Sequence, residues 1–301
     1  MTVIALTGGT GFVGSHLIDL ALAQRIELRA LTRRPQPDRA GVTWIEGALD
    51  KPDSLDALVA GADAVLHIAG VINAPDRDGF AAGNIDGTRA VIAATQKAGI
   101  RRFVQVSSIA AREPDLSSYG WSKSEADELL MATDLDWSIV RPPAIFGPRD
   151  SEMLELFKLA KTHVMPLPPA GGRLSVIAVG ELVRLLLALP ASNALTRQIV
   201  EPDDGTPNGW DHRDFARAIG KATDSKVLPL PLPRFILDIV AAGDRLVRGK
   251  SAKLTPDRIA YFCHMDWVSH ARPPADIWAP ETDTETALAE TAAWYRANGL
   301  L

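Results

Sequence analysis

Val3–Gly14, VIALTGGTGFVG, joins a short apolar, β-branched run to a glycine-rich turn that opens onto helix-forming residues from Ser15 to Leu22. Gly8 suits a turn that needs positive φ, Gly11 lets the backbone come close to a pyrophosphate, and Gly14 permits a helix to pack tightly on a strand. The helix end offers free N–H groups and a partial positive charge to the phosphates. Such glycines also arise in plain tight turns. Here they stand between a strand and a helix, the context that a dinucleotide site demands.

The rest of the chain has the composition of an ordinary globular protein. Its 301 residues suffice for one large or two small domains, and 47% hydrophobic with 23% charged residues is a globular balance. A net charge of −5 and a pI near 5.7 speak against a nucleic-acid-binding surface. The single cysteine, Cys263, permits no intramolecular disulfide and fits a reducing, cytoplasmic setting. The N-terminus enters a strand without the basic and apolar regions of a signal peptide. Leu182–Leu189 and Phe235–Ala242 are apolar but far shorter than the roughly 20 residues that span a bilayer, so no integral membrane segment is expected. Phe235–Val247 reads as an amphipathic helix, for which a core position and a membrane-touching one are both open. The six histidines show no metal-ligand spacing, and Cys263–His264 reads as a chance pair. No metal is expected.

Strands and helices alternate through the first half. Strands are expected at Val3–Thr7, Leu28–Thr32, Val42–Glu46, Ala64–Ile68, Phe103–Val106 and Trp137–Arg141. Helices are expected from the glycine turn to about Gln24, then at Ser54–Val59, Asn84–Ala98 and Ser122–Met131. Repeated βαβ units with apolar strands imply a doubly wound parallel sheet covered on both faces, an α/β fold of Rossmann type. The texture changes after Gly147. Prolines crowd Met165–Pro169 and Leu228–Pro233, where alternating Leu and Pro suits an edge strand or polyproline II. The expected organisation is a dinucleotide-binding domain over residues 1–150 and a smaller, irregular substrate region over 151–301 that closes over the sheet's carboxyl edge. Leu174–Val179 and Gln198–Val200, within 173–201, are expected to return to the Rossmann sheet.

Tyr119 and Lys123, in YGWSK, are four residues apart at a helix start and share a face. A free tyrosine with a pKa near 10 is a poor acid or base at neutral pH. A lysine about 4 Å away, at an effective dielectric of 20, is worth roughly 4 kcal/mol and could lower that pKa by up to about 3 units. Proton transfer near pH 7 would then become efficient. A surface pair is the bland alternative, but this one follows a strand that ends in Ser107–Ser108.

Taken together, TGGTGFVG, HIAG (His67–Gly70), NIDGT (Asn84–Thr88), VSS (Val106–Ser108), YGWSK and RPPAIFGP (Arg141–Pro148) occur in an order that resembles the extended short-chain dehydrogenase/reductase superfamily, the NAD-dependent epimerase/dehydratase family. The resemblance covers nearly the whole Rossmann half. It implies that Tyr119 is the general acid/base and that Lys123 binds the nicotinamide ribose while lowering the tyrosine pKa. It implies a serine on the reacting oxygen, with Ser108 the matching position and Ser107 the alternative, and it matches Asn84 to a helix-kinking asparagine of the catalytic set. An ordinary N-cap is the other reading of Asn84. Cofactor contacts are implied for Gly8, Thr10, Gly11, Phe12, Val13, Gly14, Ala69, Gly70, Ser107, Tyr119, Lys123, Pro142 and Ile145. A homodimer through Asn84–Ala98 and Ser122–Met131 is also implied, although Ala90, Ala93 and Ala94 fit intramolecular packing equally well.

Three departures from the family pattern shape the expected function. Thr32 stands where an acid usually holds the ribose 2′-hydroxyl, and Arg33–Arg34 follow, which favours a 2′-phosphate and hence NADP, with NAD the alternative. Ala48 stands where an acid usually meets adenine, leaving Asp50 as a substitute. The loop from Ser108 to Tyr119 is short. Lys253–Trp267 and the closing TALAETAAWYRANGLL are similar in texture to 3β-hydroxysteroid dehydrogenase-like and reductase-like members, with Trp294 and Tyr295 reading as core anchors. Leu174–Val179 lacks the arginine and histidine common in sugar-nucleotide enzymes, and Met165–Pro169 and Leu228–Ile236 are apolar. The expected activity is NAD(P)-dependent interconversion of a secondary alcohol and a ketone on an apolar small molecule. The alternatives are a nucleotide-sugar epimerase or dehydratase, with phosphate contacts from Arg173, Arg184 or Arg213, and a non-catalytic NADP-binding scaffold.

Overall fold

A computed structural model describes residues 2–248 and 256–301, so the first three residues of Lys253–Trp267 lie outside the described residues. Through the first half the elements are β1 (Val3–Thr7), α1 (Phe12–Ala23), β2 (Glu27–Thr32), β3 (Val42–Glu46), α2 (Pro52–Val59), β4 (Ala64–His67), α3 (Arg77–Phe80), α4 (Gly87–Lys97), β5 (Arg102–Val106), α5 (Ser118–Met131) and β6 (Asp136–Val140). There follow β7 (Ala144–Phe146), α6 (Leu154–Lys161), β8 (Val164–Leu167), β9 (Arg173–Leu174), β10 (Val176–Ala178), α7 (Val179–Ala188) and β11 (Gln198–Val200). The chain ends through β12 (Trp210–Asp211), α8 (His212–Ala222), β13 (Leu228–Pro231), α9 (Arg234–Arg248), α10 (Pro256–Cys263), β14 (Asp266–Trp267) and α11 (Thr284–Ala297). Two compact units emerge from this order. One takes the described residues of Met1–Pro142, Gly180–Pro202 and Ala271–Trp278, and the other those of Pro143–Val179, Asp203–His270 and Ala279–Leu301.

The first unit is built on a seven-stranded sheet in the order β11-β6-β5-β4-β1-β2-β3. Every pair in it is parallel. β4 and β5 are buried along their whole length, the condition of parallel strands covered by helices on both faces. Val65, Phe103, Leu130, Trp137 and Ile139 lie at the centre of its core. Chain order reverses on either side of β1, which pairs with both β2 and β4. In such sheets the crevice beyond the carboxyl ends at this switch point is where ligands bind.

Two expectations about this sheet meet different outcomes. Gln198–Val200 joins it as β11, beside β6. Leu174–Val179 does not: β9 pairs with β12 and β14, and β10 pairs with β7. Ser175 separates the two short strands, and its hydroxyl donates to Asp203 at 2.7 Å. That polar anchor breaks the run that looked like one strand. The helix expected at Asn84–Ala98 also begins earlier, at Arg77, where the Asp76 carboxylate accepts the Gly79 N–H at 2.9 Å as an N-cap. A π-helical turn, Ala81–Asp86, then leads into α4. Asn84 is therefore inside a helix and not at its cap.

The second unit has its own core, around Phe146, Phe157, Phe215, Leu288 and Tyr295. The Tyr295 ring meets Phe157 edge-on at 5.2 Å, and its hydroxyl donates to the Asp150 carbonyl at 2.9 Å. This is the anchoring role expected for the last helix. Leu228–Pro233 supplies β13, which runs parallel to β8 in a two-stranded sheet. The N–H groups of Leu228 and Leu232 donate to His163 and Leu167, so the prolines fall where no donor is required. Among the described residues no helix is long and apolar enough to cross a membrane.

Candidate active site

The glycine turn meets the demands read from its sequence at two positions. Gly8 has φ +77°, and a Cβ there would come within 2.6 Å of the Ala69 nitrogen. A Cβ on Gly14 would stand 2.1 Å from the Gly8 carbonyl oxygen. Only glycine lets α1 sit this close to the turn. Gly11 is the N-cap of α1, no side chain caps it, and the first turn of the helix holds no acid. Thr10 and Gly11 are exposed, and Phe12 and Val13 are half-buried in that first turn. A glycine cradle below uncapped N–H groups fits the pyrophosphate of a dinucleotide.

Beyond β2, Thr32 is buried and its hydroxyl donates to the Arg34 carbonyl at 2.6 Å, folding the loop that carries Arg33 and Arg34. Both guanidinium groups stand exposed. Ala48 is tied to Ser54 by hydrogen bonds in both directions, and Asp50 is exposed nearby in sequence.

The carboxyl ends of β1 and β4 are joined by buried polar contacts. His67 bonds the Thr7 hydroxyl through Nδ1 at 2.7 Å and the Thr88 hydroxyl through Nε2 at 3.1 Å. Burial, and then the charge of Lys123, lower its pKa to about 3, so the ring is neutral. Thr7 also accepts the Ala69 N–H. Asn84 accepts the Val71 N–H at 2.6 Å and donates to the Val71 carbonyl and to Ser122, which clips the segment after Gly70 to α5. A Cβ on Gly70 would meet Asn84 Oδ1 at 3.0 Å and Lys123 Nζ at 3.7 Å, so the three residues are immediate neighbours.

Ser107 and Ser108 have different partners. Ser107 donates to the Asp127 carboxylate at 2.8 Å. Ser108 caps a single 3₁₀ turn, Ile109–Arg112, where its hydroxyl accepts the Ala110 N–H at 3.2 Å, and it stands near enough to Tyr119 to act on the tyrosine pKa as a hydrogen-bonding neighbour. The structure thus brings Ser108 to the tyrosine and turns Ser107 away from it. Pro142 accepts the Ile109 N–H at 3.1 Å at the base of the 3₁₀ turn. Ile145 lies on β7 of the second unit, opposite Ile177.

Lys123 is buried and its ammonium donates to the Val106 carbonyl at 2.8 Å. Burial lowers its pKa to about 8, against the opposing pull of Asp127. Tyr119 departs from expectation. Its pKa is raised: burial dominates, the Ser108 hydrogen bond works against it, and the Asp127 charge adds to it. The lysine ammonium, held on the Val106 carbonyl, does not supply the lowering that its spacing suggested.

Asp127 is the residue that the sequence reading missed. It is fully buried and accepts from Ser107, from Gln105 Nε2 at 2.7 Å and from Arg141 Nε at 2.8 Å. Burial raises its pKa, while Arg141 and Lys123 oppose the rise. A signal was present: Asp127 is four residues beyond Lys123 on the same helical face.

The arginines considered for phosphate contacts are differently occupied. Arg173 donates to the carbonyls of Asn208 and Gly209, Arg184 is paired with Glu181 at 2.6 Å, and Arg213 is exposed. Leu228, Leu230 and Phe235, from the apolar segment Leu228–Ile236, are exposed as well.

A family model described as NAD(P)H-binding matches residues 8–162. The chain is 34% identical to a ceramide reductase from Caulobacter vibrioides, over 99% of its own length and 96% of the relative's. It is 24% identical to a UDP-glucose 4-epimerase from Vibrio cholerae, over 98% and 96%. Its fold is similar to that of MoeE5 in complex with UDP-glucose and NAD, with a TM-score of 0.76, 18% identity and 99% of each chain covered.

Proposed function

The chain belongs to the extended short-chain dehydrogenase/reductase family of NAD(P)-binding enzymes, and from that premise we propose a reductase that turns the ketone of a largely apolar molecule into a secondary alcohol, with NADPH preferred. One observation carries the reading: Ser108 stands beside Tyr119 as a hydrogen-bonding neighbour, and burial holds the tyrosine pKa above its ordinary value. A tyrosine that keeps its proton at neutral pH suits a general acid better than a base. In the proposed reaction the Tyr119 O–H bond breaks as its proton passes to the carbonyl oxygen, which becomes the alcohol. The Ser108 hydroxyl donates to the same oxygen and stabilises the charge that develops on it. Lys123, charged below about pH 8, holds the ribose hydroxyls. When bound, the dinucleotide supplies the hydride that the carbonyl carbon receives.

The cofactor would rest its pyrophosphate on Gly8–Gly14, and Arg33 and Arg34 would meet a 2′-phosphate through charge-assisted hydrogen bonds. An apolar substrate is favoured because Arg173 and Arg184 are already occupied. A diphosphate without paired donors would lose several kcal/mol on desolvation. The Caulobacter relative is named for a ceramide, a molecule of this apolar kind. Enzyme names among the relatives leave little ground for a non-catalytic scaffold. Two assays on the full chain test the proposal. NADPH consumption, followed at the nicotinamide absorbance, is expected with a long-chain keto-amide lipid and with smaller apolar ketones. Conversion of a UDP-sugar with no net change in that absorbance, and no ketone turnover, would replace the reductase with an epimerase.

A further inference from the structure

Ser108 and Tyr119 act on one oxygen in the proposed reaction, yet they belong to different elements, and the segment between them sets how far apart they stand. Ser108 caps the 3₁₀ turn Ile109–Arg112, and its oxygen accepts the Ala110 N–H, which leaves the hydroxyl proton for the reacting oxygen. The same turn abuts the start of α5. The carbonyl oxygens of Ala110 and Glu113 lie 2.7 and 3.1 Å from the point where a side chain on Gly120 would begin, and Gly120 is the residue after Tyr119. One short turn therefore spaces both groups.

Such a turn does not hold itself. Its own hydrogen bonds, from Ala111 to Ser108 at 3.0 Å and from Glu113 to Ala110 at 3.1 Å, have the poorer geometry of 3₁₀ structure. Its first residue, Ile109, is fixed to the Pro142 carbonyl. Its last, Arg112, is fixed through its side chain. The guanidinium Nη1 donates to Glu201 Oε2 at 3.1 Å, with 16% of the arginine side chain and 4% of the glutamate side chain exposed. Glu201 directly follows β11, and the backbone around it is held on both sides. The Arg141 N–H donates to the Val200 carbonyl at 2.8 Å, and the Glu201 N–H donates to the Ala271 carbonyl at 2.7 Å. The ion pair thus ties the far end of the turn to the rim of the seven-stranded sheet.

A buried ion pair is a poor stabiliser, since well-packed apolar residues of similar volume often serve stability as well or better. What it supplies is a fixed direction, through charge-assisted hydrogen bonding. Neither Arg112 nor Glu201 has a part in the proposed proton or hydride transfer. We propose that they are positioning residues: their ion pair holds the 3₁₀ turn at the spacing that sets Ser108 against Tyr119. The chemical consequence rests on the reductase reading, because a displacement of about 1 Å in a reacting group can cost roughly a hundredfold in rate. The geometrical consequence stands apart from that reading.

Arg112→Gln in the full chain removes the charge and keeps a polar end. Its kcat is expected to fall about tenfold or more. The dissociation constant of NADPH should stay within about twofold of the parent, because the glycine turn and Arg33–Arg34 lie on other elements. Hydrogen exchange at the Ala111 and Glu113 amides, read without substrate, should quicken about tenfold while the amides of β4 and β5 keep their protection. Glu201→Gln preserves shape and one acceptor, so it should show both effects at a smaller size, and it carries the test should Arg112→Gln misfold. Arg112→Met with Glu201→Leu separates positioning from stability. This apolar pair should recover the melting temperature that the single variants lose, but neither kcat nor the protection of the turn amides. Recovery of kcat along with stability, parent-like kcat in the folded single variants, or unchanged exchange at the turn would overturn the proposal. Should the parent reduce no ketone, the reductase reading fails, and exchange alone then decides the positioning role: quickened turn amides uphold it and unchanged ones overturn it.

Discussion

In the first unit a buried carboxylate, Asp127, is surrounded by Ser107, Gln105 and Arg141 and lies one helical turn from Lys123. In the second, Asp204 accepts from Trp210 Nε1 at 2.6 Å, from the Thr206 hydroxyl at 2.9 Å and from the Thr284 hydroxyl at 2.5 Å. Both carboxylates are well supplied with donors, but to different ends. Asp127 stands against a second ionisable group whose charge it sustains. Asp204 ties a loop, β12 and the start of α11 together, in a unit whose strands are two to four residues long. Asp127 is buried beside residues of the proposed reaction, whereas the half-buried Asp204 holds irregular segments together. Substitutions should therefore separate. Those in the first unit should change rate and affinity in a folded protein, and those in the second should change stability at constant rate.

The largest effect is expected at Tyr119. Tyr119→Phe keeps the ring beside Phe80, 6.1 Å away, and removes the hydroxyl with its transferable proton. Turnover should fall by about 10²–10⁴ with cofactor affinity little changed. Steady-state rates on the ketone found in the screen provide the check, and undiminished turnover would break the assignment of chemistry to this unit.

Replacing Arg33 and Arg34 with alanine comes next. If a charge-assisted contact of ~1.5–3 kcal/mol to a 2′-phosphate is lost, a preference for NADPH of roughly ten- to a hundredfold should largely vanish. Calorimetric dissociation constants for NADPH and NADH, in parent and variant, measure it. Equal constants in the parent would assign the pair to solvent alone.

How far the sequence carried this contrast depended on what each unit asks of its residues. Gly8 and Gly14 were legible because the backbone geometry excludes any side chain there. Tyr119 and Lys123 could be read as a pair four residues apart on one helix, but the lowered tyrosine pKa expected from that spacing could not, because Lys123 is held on the Val106 carbonyl and burial raises the Tyr119 pKa. The seven parallel strands include long apolar runs, and six of the seven could be read from alternation with helices. Asp127 was missed because its meaning depends on Arg141, which is distant in sequence and reaches it only through the fold. The π-helical turn at Asn84 leaves no periodic trace. In the second unit, β9 and β10 are too short for a period of two to register, and a single serine divides them. Leu228–Pro231 was read for its apolarity, but alternating proline does not reveal which face meets solvent.

A third substitution examines the link between Asp127 and Lys123. The Asp127 charge raises the lysine pKa against burial, which brings it down to about 8. In the proposed reaction Lys123 works as its ammonium form, so activity should be full at lower pH and fall as pH rises through that value. Asp127→Asn removes the supporting charge, and the alkaline limb of kcat/KM should move down by about one unit, a severalfold to tenfold loss near pH 8. An unmoved limb, with folding intact, would reduce Asp127 to a purely structural role like that of Asp204.

The smallest effect on turnover, and the sharpest contrast, belongs to Asp204→Asn. The carboxamide keeps one acceptor oxygen but loses the charge that strengthens the bonds from Trp210, Thr206 and Thr284. It also turns an N–H₂ toward groups that are themselves donors. Hydrogen bonds to a charged acceptor are each worth about 1.5–3 kcal/mol, and neutral ones about half that. The retained contacts should limit the net loss to about 1–2 kcal/mol, or a few degrees in melting temperature. Per folded molecule, kcat and the dissociation constant for NADPH should match the parent, because the bonded groups belong to the second compact unit and Ser108, Tyr119 and Lys123 to the first. Thermal unfolding beside steady-state kinetics on one preparation reads both quantities. A fall in kcat without a fall in stability would show that Asp204 reaches the chemistry after all, and the division of labour between the two carboxylates would have to be abandoned.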